Sequence, residues 1–130
     1  MGDRYVVGFR ATRKDPAIFL YSHWGGSDRH SEVAEAIFAA RPRWGDPAYA
    51  TRIAISQIVG LDWDKETGFG LSAGEISCMP DYTDVAIVTW EEQCVDIVND
   101  NEPDVILTSM SLDEYIHRAS SHSMLPPASV

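Results

Sequence analysis

Two helical patterns follow each other between strand-like runs, and this order constrains the fold more than any other feature of the chain. Apolar residues recur at helical spacing from Ser31 to Arg41, and Pro42 ends that pattern. A second helix is predicted to begin after an Asp46 N-cap, with Pro47 at its first position, and to end at Gly60. Strands on both sides of a helix pair indicate an α+β fold with the two principal helices packed on one face of a sheet.

The strands of that sheet are predicted from apolar and β-branched runs. Tyr5–Arg10 and Ala17–Tyr21, separated by a Lys14-Asp15-Pro16 turn signal, indicate an opening hairpin. The later strand candidates are Glu75–Met79, Val85–Trp90 and Asp104–Thr108. We therefore expect a mainly antiparallel sheet of about five strands.

Two segments between these candidates are less regular. Leu61–Gly74 contains three glycines and alternating acidic residues, which favours a long loop. Glu91–Asn99 fits a strand extension or a short helix equally well.

The length of 130 residues and the hydrophobic fraction of 45% are typical of one domain with its own core. Ser111 and Glu114, at capping-box spacing, indicate a final helix. The serine- and proline-containing end of the chain is expected to be disordered. The predicted organisation is a single domain over 1–118 and a disordered tail over 119–130.

No metal or cofactor is predicted. Cys78 and Cys94 lie in strand-like runs without CxxC spacing, which favours two buried, reduced thiols. The acidic segment Asp62–Gly68 superficially suggests a calcium loop, but its glycine comes one place late and Ala73 occupies the position of the bidentate glutamate. A solvated acidic turn is the preferred interpretation of this segment.

The formal net charge of −10 is unevenly distributed. Residues 1–60 hold eight basic and six acidic residues, whereas residues 61–130 hold two basic and fourteen acidic ones. This acidity argues against direct nucleic-acid binding, because phosphate contacts require cations. It is compatible with solubility alone, with a docking surface for a basic partner, or with mimicry of DNA.

The first residues lack the apolar core of a signal peptide, and no apolar run approaches the roughly 20 residues of a membrane span. The expected location is the cytoplasm, without membrane association.

The segment Ser22–His30 is the first candidate site. His23, Trp24, Gly25 and Gly26 lie at a predicted strand-to-helix junction, where unpaired backbone N–H groups bind anions, and Arg29 adds a cation. The sequence predicts a phosphate or carboxylate site here. The alternative is structural: the glycines turn the chain, Trp24 packs on the sheet and His23 satisfies a backbone carbonyl.

A second candidate site lies between the two helices. Arg43, Trp44, Tyr49 and Arg52 combine the aromatic and arginine side chains that dominate protein interfaces. Trp44 could equally stabilise the interhelix turn, with Asp46 as a helix cap. An exposed Trp24 or Trp44 could also mark a homodimer interface.

Three segments in a fixed order, Tyr21–Gly26, Arg43–Ile53 and Thr67–Ser72, resemble small accessory, non-virion proteins of tailed phages, especially actinobacteriophages. The resemblance covers roughly residues 5–90 and carries no catalytic residue. It implies a protein made in the bacterial host cytoplasm, in a group where many small acidic proteins bind and redirect host or defence components.

The sequence thus favours a binding protein that engages a host or defence protein or sequesters a small anionic ligand. One alternative is a small enzyme acting on a phosphorylated or nucleotide substrate, with His23 as general acid/base. Another is an acidic DNA-mimic inhibitor.

Overall fold

The computed structural model describes residues 2–120. Its six strands are β1 Tyr5–Arg10, β2 Ile18–Ser22, β3 Phe69–Ala73, β4 Asp84–Thr89, β5 Cys94–Asn99 and β6 Glu102–Ser111. Its three α-helices are α1 Arg29–Ala39, α2 Pro47–Val59 and α3 Leu112–Ser120.

The strands form one sheet in the order β3-β2-β1-β4-β5-β6. β1 pairs with β4 in parallel, and every other neighbouring pair is antiparallel. The opening hairpin is confirmed, with Tyr5 opposite Ser22 and Phe9 opposite Ile18. The predicted α+β fold with a mainly antiparallel sheet is therefore confirmed, with six strands where about five were expected.

Two of the six strands were not among the five candidates: β5, and β3, which lies inside the segment predicted to be a loop. Its glycines lower its intrinsic strand preference, but pairing with β2 along its whole length, from Ser22–Phe69 to Ile18–Ala73, overrides that preference. The segment Glu91–Asn99, which could have been strand or helix, contains β5.

The prediction of a strand over Glu75–Met79 is wrong. This segment is the connection from β3 to β4, and it has to cross β2 and β1 to join them. Ile76 packs against the sheet face that is crossed. Cys78 is exposed in this connection, contrary to the expectation of a buried thiol, whereas Cys94 is buried as expected.

α1 begins two residues before and ends two residues before the predicted Ser31–Arg41, and no side chain caps its start. The boundaries of α2 and α3 follow the predicted capping residues. Asp46 accepts a hydrogen bond from the Tyr49 N–H at the start of α2, and Gly60 follows its last residue with a φ of 56°. At α3, the Ser111 hydroxyl accepts from the Glu114 N–H at 3.1 Å. All three caps were predicted from the sequence.

The main core lies between the sheet and the helices. α1 packs against both α2 and α3 and thereby occupies the middle of the helical layer. The buried strand residues of this face are Tyr5, Val7, Phe9, Leu20, Ala86, Val88 and Val95. Burying one large aliphatic side chain contributes about 1.5–3 kcal/mol, so this face supplies most of the stability of the fold.

The opposite face carries a smaller apolar cluster and a buried charge. Its apolar members are Val6, Ala17, Phe19, Val85, Ile87 and Val98. Next to them, the fully buried Asp96 carboxylate accepts hydrogen bonds from Arg10 (2.9 Å), Arg13 (2.8 and 3.0 Å), Thr89 (2.9 Å) and Ser109 (2.8 Å).

α3 continues to Ser120, two residues beyond the predicted domain boundary. The rest of the predicted tail, residues 121–130, lies outside the described residues. Among residues 2–120, the helices are too short or too polar to cross a bilayer.

Candidate functional site

The loop after β2 is fixed by backbone hydrogen bonds to two other segments. The Gly26 N–H donates to the Asp3 carbonyl at 2.7 Å, and the His23 N–H donates to the Gly68 carbonyl at 2.9 Å. Gly25 adopts a φ of 85°, and its carbonyl accepts from the Asp28 N–H. These N–H groups lie in the segment predicted to bind an anion. They already have hydrogen-bond partners within the chain.

Trp24 projects from this loop and is 52% exposed. Its ring covers Gly68, where a Cβ would come within 2.5 Å of the ring, and it meets the edge of Phe69 at a centroid distance of 6.0 Å. Gly68 has a φ of 105°, a conformation that side-chain-bearing residues rarely adopt. The position of the indole thus depends on a glycine at residue 68.

A cavity of about 260 Å³ lies beside this indole. Its lining residues are Ser22, Trp24, Glu32, Glu35, Gln57, Ile58 and Phe69. Two of them are carboxylates from α1, and none is lysine or arginine. The cavity is therefore aromatic on one side and acidic on another.

The two carboxylates of the cavity differ in their surroundings. Glu32 accepts a hydrogen bond from the Tyr5 hydroxyl at 2.8 Å, and burial raises the pKa of Glu32 above its ordinary value. Glu35 is exposed and, within residues 2–120, has neither a hydrogen bond nor an ion pair to its side chain. A cationic group would meet favourable potential here, and an anion would be repelled.

Arg29 is engaged in the structure itself. Its guanidinium donates to the Gly26 carbonyl and to Asp84, and it stacks over Tyr82 at 4.0 Å. Burial alone would raise the pKa of Asp84, but hydrogen bonding to His30 and the charge of Arg29 lower it. Arg29 therefore joins the start of α1 to β4 and does not line the Trp24 cavity.

His30 forms a contact that the sequence analysis did not assign. Its Nδ1 lies 2.7 Å from the Tyr115 hydroxyl and its Nε2 lies 3.1 Å from Asp84. Burial raises the pKa of Tyr115, so this hydroxyl stays neutral. The contact connects α1, α3 and β4. Its sequence signal was only the placement of Tyr115 in an amphipathic helix, which gives no information on a partner 85 residues away.

His23 lies on the exposed side of the loop. Its Nδ1 is 3.2 Å from the Tyr21 hydroxyl, and its ring meets Trp24 edge-on at 5.5 Å. It does not line the cavity beside Trp24.

The second predicted site divides into a structural and an exposed part. Trp44 is only 9% exposed and donates its indole N–H to the Ile37 carbonyl at 2.9 Å, so it stabilises the interhelix turn. Arg43 stacks over the exposed Tyr49 ring at 4.9 Å, and Arg52 donates to the Ser56 hydroxyl.

The two predicted sites lie at opposite ends of α2. Tyr49 belongs to its first turn, whereas Gln57 and Ile58, at its end, line the Trp24 cavity. Eight residues of helix separate Tyr49 from Gln57, a distance of about 12 Å along the axis. Of the nine site residues named from the sequence, only Trp24 lines this cavity.

A second cavity, of about 430 Å³, adjoins the first along α1. Its lining residues are Ser31, Ala34, Glu35, Phe38, Ala39, Gln57, Ile116, Ala119 and Ser120. Glu35 and Gln57 line both cavities, so the two cavities meet at these side chains, and we call the pair of cavities the α1 groove.

The α1 groove was not predicted. Phe38 fits the helical spacing of core residues in α1, but it is 59% exposed and contributes to the groove wall. A stripe of apolar residues on a helix does not distinguish a core position from a groove position. Only the arrangement of α2 and α3 on either side of α1 makes this distinction.

Comparison of the chain with protein-family models, with curated proteins and with solved structures finds no match. Among the residues that the structure describes, no three histidine, cysteine, aspartate or glutamate side chains are grouped so that they could hold a metal ion.

Proposed function

We propose that this chain is a binding protein without catalysis that engages a protein partner through the α1 groove. The observation that carries the proposal is the groove itself, a concave surface with an exposed phenylalanine at one end and an exposed tryptophan at the other. Exposed aromatic side chains beside a concave apolar surface are typical of protein interfaces.

The surroundings of Phe38 support a protein partner. The groove half that contains Phe38 is walled mainly by apolar side chains, including Ala34 and Ile116. Arg41, whose guanidinium lies 5.5 Å from the Phe38 ring centroid, is paired with Asp113 at 2.7 Å. A partner's apolar side chain could therefore cover the Phe38 ring without leaving the Arg41 charge unpaired.

The charge of the groove favours this hypothesis over sequestration of a small anion. Glu32 and Glu35 line the Trp24 half, while Arg29 and the N–H groups of His23, Gly26 and Asp28 are engaged elsewhere. The resemblance to accessory proteins of tailed phages supports a partner from the host bacterium or its defence systems, met in the cytoplasm.

The test is affinity capture from host-type bacterial lysate with three forms of the protein. Phe38→Glu places a charge in the groove, and Met79→Glu is its matched control, because Met79 is 63% exposed in the connection that crosses the other sheet face. We expect wild type and Met79→Glu to recover the same protein and Phe38→Glu to lose it.

Recovery of the same protein by Phe38→Glu would contradict the proposal. Native mass spectrometry of the purified protein is a second check on the anionic-ligand and enzyme alternatives. A retained small anion whose added mass disappears in His23→Ala would favour those alternatives over a protein partner.

A further inference from the structure

We infer that the α1 groove receives a protein segment in which a lysine or arginine adjoins large apolar side chains. This inference rests on the proposed function and adds the chemistry of the partner. The groove has two unlike halves, and each half specifies one part of the partner segment.

The acidic half specifies the cation. Glu35 has no partner within the described residues, and Glu32 has only the Tyr5 hydroxyl, so neither carboxylate is neutralised by the chain. Three arginines of the helical layer have other contacts: Arg29 donates to Gly26 and Asp84, Arg41 pairs with Asp113, and Arg52 donates to Ser56. An incoming ammonium or guanidinium group would supply the missing charge.

The aromatic wall of the same half favours a cation that is attached to a carbon chain. Trp24 and Phe69 present ring surface beside the two carboxylates. Indole rings attract lysine and arginine heads through their faces, and the aliphatic stem packs on the remaining apolar surface. A hydrated metal ion would gain nothing from these rings.

The apolar half specifies the neighbours of that cation. Phe38, Ala34 and Ile116 line it, and it is joined to the acidic half at Glu35 and Gln57. A segment that places its basic residue beside Trp24 would therefore place adjacent residues on this apolar wall. The short side chains of Ala34 and Ala39 leave the space that large apolar residues would fill.

A displayed library of random peptides tests this inference without knowledge of the natural partner. Peptides are selected on wild-type protein and counter-selected on Phe38→Glu. The variant is more acidic than wild type, so counter-selection removes peptides that bind through non-specific attraction to negative charge. We expect the surviving peptides to contain lysine or arginine next to leucine, isoleucine, methionine or an aromatic residue.

The outcomes separate this inference from the proposed function. Survivors that are neutral or acidic would overturn the inference and leave the groove as a docking site. If the selection yields no peptide whose binding depends on Phe38, both the inference and the proposed function are contradicted. Self-association of the wild-type protein that Phe38→Glu abolishes would identify the occupant as a second copy of the chain and overturn the inference.

Charge substitutions on both sides then test the contact itself. Replacing the selected arginine by citrulline keeps its shape and removes its charge, and we expect roughly tenfold weaker binding. Glu35→Gln should weaken the arginine peptide by a similar factor and leave the citrulline peptide unaffected. Glu91→Gln, an exposed position in the β4–β5 turn, is the matched control and should change neither affinity. Equal losses for both peptides with Glu35→Gln would contradict a charge contact.

Discussion

Asp96 and Glu35 are both carboxylates next to an apolar cluster, but they differ in burial and in their hydrogen-bond partners. Asp96 is fully buried behind the sheet and accepts hydrogen bonds from two arginines and two hydroxyls. Glu35 is exposed on the helical side, in a groove that contains no lysine or arginine. A carboxylate with every partner supplied by its own chain stabilises the fold, whereas one without a cationic partner is available to another molecule.

The largest predicted effect is at Asp96. In Asp96→Asn the charges of Arg10 and Arg13 lose their shared carboxylate, and we expect the free energy of unfolding to fall by about 3 kcal/mol. Chemical denaturation measures this change. Asp104→Asn, at an exposed position of β6, is the control and should remain within about 0.5 kcal/mol of wild type. A loss below about 1 kcal/mol for Asp96→Asn would show that this buried network does not stabilise the fold.

The same network predicts the acid sensitivity of the protein. Burial alone would raise the pKa of Asp96, but hydrogen bonds from Arg13, Ser109 and Arg10 lower it well below its ordinary value. The resulting stability is present above the unfolded-state pKa of about 3.9 and is lost as the pH falls towards the folded-state value. Denaturation midpoints of wild type should therefore fall below about pH 4, and those of Asp96→Asn should fall less steeply. Parallel pH profiles would contradict this assignment.

A smaller effect is expected at Gly68, which supports the groove instead of the sheet core. Gly68→Ala forces a side chain into a φ of 105° and against the Trp24 ring, which should cost about 1–3 kcal/mol. Gly70→Ala, in β3, is the control because a Cβ at residue 70 meets no atom within 4 Å. Denaturation should separate the two variants, and a shift in tryptophan emission should accompany only Gly68→Ala. Equal stabilities and emission spectra would show that Gly68 does not position Trp24.

The smallest predicted effect, at Glu32, is an increase and not a decrease in the free energy of unfolding. Because burial raises the pKa of Glu32, the folded state favours its protonated form, and the stability linked to this proton is lost as the pH rises through the folded-state pKa. Glu32→Gln should therefore increase the free energy of unfolding at pH 7, by less than about 1 kcal/mol, while it weakens binding of a basic peptide. Denaturation and peptide titration of the same sample measure both. A destabilised variant with unchanged peptide affinity would assign Glu32 a structural role only.

Much of the fold was predictable from the sequence because its signals are local. The Asp46 and Ser111 caps and the Gly60 helix end were each identified from the chain, and each occupies the predicted position. β3 was not predictable, because its glycines indicate a turn and only its pairing with β2 makes it a strand.

Less of the candidate site was predictable. Trp24 was identified from its position after a strand, but Glu32 and Glu35 were not, because their place beside Trp24 depends on how α1 packs. Phe38 has the spacing of a core residue, and its exposure depends on where α2 and α3 pack relative to α1. Arg29 was assigned to an anion because its long-range partner, Asp84, cannot be identified from local sequence.

The most direct measurement of partner binding through the α1 groove is hydroxyl-radical footprinting of the protein with and without a peptide selected on wild type. Trp24 and Phe38 lie in the groove, whereas the exposed Trp63 and Met79 line neither of its cavities. We predict that the peptide protects Trp24 and Phe38 from oxidation and leaves Trp63 and Met79 as reactive as before. Unchanged oxidation of Trp24 and Phe38, with protection elsewhere on the surface, would contradict the groove as the binding site.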